Sequence, residues 1–219
     1  MNKELMVRWL RALLATIIIF TIFSVYLFLR REIYNLGIAN KAFGSTAAIV
    51  AGITLLIGPV SRILPQFGKA LVYRRSLGIL AFLTGLIHAV ISLFFIPQRF
   101  TIPFFLKEWP ATATGLLAIG IWFFLTTISK NDKIKQLGGS KWIMLQQRGG
   151  YIAFLAVFAH LIFLKYAGWI EWFGGKTQKT PNLANPQYPP ASLFVFLIMA
   201  GIIGYRIYLK LKHDVQSHG

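Results

Sequence analysis

Cysteine is absent from the 219-residue chain, and acidic side chains are scarce, six against 23 Lys and Arg. Without thiols there is no disulfide, thiolate metal site or cysteine relay, so any redox chemistry requires a cofactor. The chain also lacks a polar stretch long enough to build a soluble domain. Apolar runs occupy about 9–29, 42–60, 76–96, 111–129, 150–169 and 191–209, each near the ~20 residues that cross a ~30 Å hydrocarbon core. Mean hydropathy is +0.63. The expected fold is an all-α integral membrane protein of six transmembrane helices, forming a single membrane domain over 1–219. No Walker loop, dinucleotide fingerprint or Ser/His/Asp set occurs, so nucleotide binding and hydrolysis are not supported.

A formal charge of +17 raises the question of nucleic acid, but its distribution answers it. Assigning the cations to alternate sides of six spans places about fifteen on the side of both termini and about eight on the other. The richer side holds Lys3, Arg8, Arg11, Arg62, Lys69, Arg74, Arg75, Lys130, Lys133, Lys135, Lys141, Arg148, Arg206, Lys210 and Lys212. The positive-inside rule then puts both termini in the cytoplasm. The basicity is a topology signal with membrane lipid as its partner, and nucleic acid is not expected. The first run follows Arg8 and Arg11 but is too long for a signal peptide and lacks a small-x-small cleavage site, so 9–29 reads as a retained anchor. The stretch 174–190, GGKTQKTPNLANPQYPP, reads as a loop outside the membrane. No low-complexity tract or clear internal repeat appears.

His213 and His218 belong to a polar tail, whereas His88 and His160 lie inside spans three and five, which run in the same direction. His88 is thirteen residues past Arg75 and His160 twelve past Arg148. At ~1.5 Å per residue both sit ~18–20 Å from the basic boundary. Two imidazoles at one depth on different helices can hold a metal between them. Tetrahedral zinc needs more ligands than this, but an iron porphyrin needs two axial ligands only. Each histidine also stands on a stripe of small residues: Gly78, Ala81, Gly85 and Ser92 around His88, and Gly149, Ala153 and Ala156 before His160. Such stripes suit a flat macrocycle, with Gly85 and Ala156 as its nearest neighbours. They equally suit close helix packing with each histidine hydrogen-bonded across the bundle.

Three segments in order carry a resemblance: STAAIVAGITLLIGPVSRI (45–63), LVYRRSLGILAFLTGLIHAVISL (71–93), and 115–160, which ends in QQRGGYIAFLAVFAH. Together they resemble the ferric reductase-like transmembrane family over about residues 42–168. The likeness is greatest to its small members without a dehydrogenase domain, such as the heme-binding membrane subunits of periplasmic methionine sulfoxide reductase systems. The resemblance implies bis-histidine ligation of heme b by His88 and His160. Family members commonly carry a histidine after the Trp-x-x-Leu of the fourth connector, where Gln146 stands here. Arg74 holds the corresponding place before His88, so one conventional heme is expected. Gln146, Gln147 and Arg148 read either as a polar entrance for an electron donor or as an ordinary solvated loop before a helix.

Arg99 and Lys107, in the outer loop after span three, are candidates to pair with heme propionates. Lys165 reads as snorkelling to the outer interface. Trp9, Trp109, Trp142, Trp169 and Trp172 fall near span ends as an aromatic belt, and Trp122, mid-span, reads as packing. The expected function is one-electron transport across a bacterial inner membrane. The donor would be a flavin reductase, a flavin, a quinol or a partner chain, and the acceptor would lie on the outer side. The rival is a cofactor-free transporter or assembly subunit using His88 and His160 in packing or proton relay.

Overall fold

A computed structural model describes residues 3–96 and 100–218, with side chains described up to residue 212. The chain folds as helices α1 (Lys3–Arg31), α2 (Leu36–Ile63), α3 (Arg74–Val90), α4 (Ile102–Lys107), α5 (Trp109–Thr127), α6 (Asn131–Leu137), α7 (Gly139–Phe173) and α8 (Ala191–His218). A 3₁₀ segment, Pro65–Tyr73, leads into α3, and a π-helical turn, Ile91–Phe95, extends it. Six of these helices are long and apolar enough to cross a membrane: α1, α2, α3 with its flanking turns, α5, α7 and α8.

The side-chain distribution explains why this set coheres without a soluble-protein core. Ala42, Ala81, Ala111, Ala118 and Ala153 are almost wholly buried, whereas Leu10, Ile22, Leu116 and Phe123 face outward. Small residues inside allow backbones to approach, and bulky ones outside meet lipid tails. Thr16, Thr46 and Thr84 return their hydroxyls to carbonyls one turn earlier on their own helices, which hides a polar group that apolar surroundings would otherwise penalise. Helix α2 runs through Pro59 to Ile63.

Helices α2, α3, α5 and α7 form a ring in which each contacts its two neighbours. Among the described residues no Cα of α3 comes within 8 Å of one in α7, and none of α2 within 8 Å of one in α5. The two histidine-bearing helices therefore stand diagonally across the bundle. Helix α1 lies against α2 and α3, and α8 against α2 and α7. The 174–190 loop is ordered against the end of α1: Asn185 N–H donates to the Arg30 carbonyl at 3.0 Å, Arg30 Nε to the Tyr188 carbonyl at 2.9 Å, and Tyr26 Oη to the Pro189 carbonyl at 2.6 Å.

Candidate functional site

His88 leaves α3 toward α2, where its Nδ1 lies 2.9 Å from the backbone carbonyl of Asn40 and 2.9 Å from the Asn40 Oδ1. His160 leaves α7 toward α5, with Nδ1 2.7 Å from the carbonyl of Ala111. A carbonyl can only accept, so Nδ1 carries the proton in both rings, and in the neutral form of each ring the Nε2 lone pair is available. Among the described residues no hydrogen bond engages either Nε2. Donation from Nδ1 to a carbonyl is how proteins fix the tautomer and orientation of a ligating imidazole.

Room for each ring comes from a glycine one turn beyond its acceptor. A Cβ on Gly44 would lie 3.2 Å from the His88 Nδ1 and Cε1, and one on Gly115 only 2.9 Å from the His160 Nδ1. Asn40 adds a feature on one side only: its Nδ2 donates to Ser92 Oγ at 2.8 Å, and Ser92 Oγ donates back to the His88 carbonyl at 2.9 Å. The acceptor of His88 is thereby held from its own helix.

These paired contacts reveal a repeat that composition and spacing did not suggest. A shift of 71 residues carries Asn40 to Ala111 and Gly44 to Gly115, while 72 carries His88 to His160. With those shifts, GILAFLTGLIH (78–88) lies over GYIAFLAVFAH (150–160), sharing Gly, Ala-Phe-Leu and His. Packing obeys the same relation. Phe82 of α3 meets Phe123 of α5 with ring centroids 6.3 Å apart, and Phe154 of α7 rests against Gly52 of α2. Positions 52 and 123 are again 71 apart. The ring of four helices is thus two α-helical pairs, α2–α3 and α5–α7, related by a pseudo-two-fold axis along the bundle. Aligning the chain on its two intramembrane histidines would have exposed the repeat in the sequence.

The remaining candidates divide. Ala156 is buried beside the histidine level, and Gly85 accepts the indole of Trp122, to which a Cβ there would approach within 3.0 Å. Gly85 therefore provides for helix packing between α3 and α5. Gly149 does the same for Leu125. Lys107 is exposed at the end of α4, while Arg99 lies outside the described residues. Lys165, read as an interfacial side chain, is half-buried. Its place five residues past His160 was visible in the sequence, but its burial was not. Trp169 departs from the belt: it is buried, and its Nε1 donates to Ser192 Oγ of α8 at 3.0 Å.

Fourteen residues toward the basic end, the same construction recurs without imidazole. Arg74 Nε donates to the Thr54 carbonyl at 3.3 Å, and Gln146 Nε2 to the Leu125 carbonyl at 2.9 Å and to Ser129 Oγ at 2.9 Å. Thr54 and Leu125 are related by the same 71-residue shift. Between them lies a cavity of about 490 Å³. Among the described residues no three His, Cys, Asp or Glu side chains gather at one place, so the donor set is two imidazoles and no more. No protein-family model and no curated protein matches the chain.

Proposed function

We propose that the chain is a transmembrane electron-transfer protein that holds one heme b between His88 and His160, of the ferric reductase-like kind its sequence resembles. The observation that carries this reading is the pair of neutral imidazoles on diagonal helices, each fixed through Nδ1 and each offering Nε2. Their donor set fits a ligand that requires two axial nitrogens and brings its own equatorial ones. When bound, the heme would supply a one-electron iron couple, with His88 and His160 as the residues that would hold it.

The chain's own residues hold and orient that position. Asn40 and Ala111 set the imidazole tautomers, and Gly44 and Gly115 admit the rings. Lys107 and Arg99 are the candidates to pair with carboxylate substituents. Arg74 and Gln146 at the second level carry no imidazole, so the reading is of a single heme. The basic end faces the cytoplasm of a bacterial inner membrane and meets the donor, a flavin, a quinol, a flavin reductase or a partner chain. The acceptor lies on the opposite side.

Membrane extract purified from heme-replete cells tests this directly. The expected result is a Soret band, a dithionite-induced α-band of b type, and about one heme per chain by pyridine hemochromogen. A colourless, folded protein would end the reading and favour a transporter or assembly subunit in which the two histidines pack or relay protons.

A further inference from the structure

The cavity at the basic end is lined by residues from both helical pairs, and the two halves differ in charge. Where α7 supplies Gln146 and Gln147, α3 supplies Arg74 and Arg75. Its apolar wall includes Trp122 and Trp142, and its polar groups include the Thr54 and Ser129 hydroxyls. Among the described residues no carboxylate or imidazole lines it. Arg74 is half-buried and uses Nε on the Thr54 carbonyl. Arg62 lies within electrostatic reach of it, and Arg206, stacked over the Tyr151 ring at 4.7 Å, within reach of both. Among the described residues no carboxylate pairs with Arg62, Arg74, Arg75 or Arg206. The Arg74 and Arg75 guanidinium groups in the wall of a largely apolar cavity repel one another until an anion joins them, and guanidinium forks suit phosphate oxygens in particular.

We infer that this cavity binds a phosphate-bearing amphiphile, its phosphate held by Arg74 and Arg75 and its apolar body lying against Trp122 and Trp142. The chemistry is shared by an anionic phospholipid and by a free aryl or alkyl phosphate. Trp122 forms part of the cavity wall and packs on Gly85, three residues before His88, so an occupant sits one indole away from the histidine level. The site stands on its own geometry and does not depend on heme.

The test compares the full-length protein with an R74Q/R75Q variant, which copies onto α3 the glutamines that α7 already carries at the equivalent positions. That variant should fold, because the same scaffold already accommodates Gln146. Charge loss alone is controlled by K210Q/K212Q, at the same end but outside the cavity. Native mass spectrometry after exchange into nanodiscs scores retention of phosphatidylglycerol against phosphatidylcholine. Tryptophan quenching titrates 1-naphthyl phosphate against 1-naphthol. At least one phosphate probe should bind the wild type and the K210Q/K212Q control, and bind R74Q/R75Q at least about tenfold more weakly, the loss of charge-assisted hydrogen bonds. Selective retention of phosphatidylglycerol alone identifies a lipid, and of naphthyl phosphate alone a free organic phosphate. Binding of neither, equal binding of the neutral analogues, or equal loss in both double variants overturns the inference. Heme content is read separately, so failure here leaves the histidine centre untouched and the reverse.

Discussion

His88→Ala and His160→Ala should each yield a folded, colourless protein. On the proposed reading each imidazole would offer Nε2 to the cofactor while its Nδ1 is spent on acceptors of the facing helix, so its removal would take away half of the donors. Outer partners of ligating histidines are typically worth about 10–100-fold in affinity, and loss of the ligand itself should exceed about 100-fold on the same scale. The fold should survive, because the lost Nδ1–H bond contributes only about 0.5–1.5 kcal/mol net. Retained helicity by circular dichroism, with heme per chain falling to background, is the expected pair of results. Wild-type heme content in either variant would remove that histidine from the site.

The second large effect needs no change to any ligand. Gly115→Ala places a Cβ 2.9 Å from the His160 Nδ1 on the α5 backbone, so the ring must leave its position against the Ala111 carbonyl. Gly44→Ala is milder: at 3.2 Å from the His88 ring the misfit is a few tenths of an ångström, and Asn40 Oδ1 offers a second acceptor. Gly120→Ala enters open space on the same helix as Gly115 and serves as the control. Alanine improves helix propensity over glycine by about 0.8–1 kcal/mol, so none of the three should melt its helix. Heme affinity should fall about 10–100-fold in Gly115→Ala, as for loss of an outer partner, less in Gly44→Ala, and not in Gly120→Ala. Equal heme content in all three would mean the rings are not held where these glycines admit them.

Hydropathy makes the six spans readable because lipid requires about 20 apolar residues per crossing, whatever the neighbours are. The shared depth of His88 and His160 was equally legible, since a helix converts residue count into height. What composition and spacing do not carry is lateral arrangement. Nothing in Asn40 or Ala111 as residue types marks their carbonyls as imidazole acceptors, because every residue owns a carbonyl. Gly85 looked like part of a cofactor recess, yet the indole of Trp122 fills that side of α3. Trp169 looked interfacial by its place near a span end, but the return of α8 buries it. The loop at 174–190 gave no sign that it would dock on Arg30. Each of these depends on which helix stands beside which, and a one-dimensional pattern is silent on that.

The pseudo-two-fold axis has a consequence for isomerism. The axis runs along the bundle and exchanges α3 with α7, so an occupant of the histidine centre meets almost the same surroundings after a half-turn. Heme b is not itself two-fold symmetric, because its vinyl and methyl groups differ from one edge to the other. Two rotational isomers should therefore coexist, their ratio set by what breaks the symmetry: the Asn40–Ser92 pair on one side, which Ala111 lacks on the other. Proton NMR of the oxidised protein should show doubled, hyperfine-shifted methyl resonances, and Asn40→Ala should bring the two populations closer to equality. A single set of resonances in the wild type would mean that the asymmetry of the two halves outweighs their likeness.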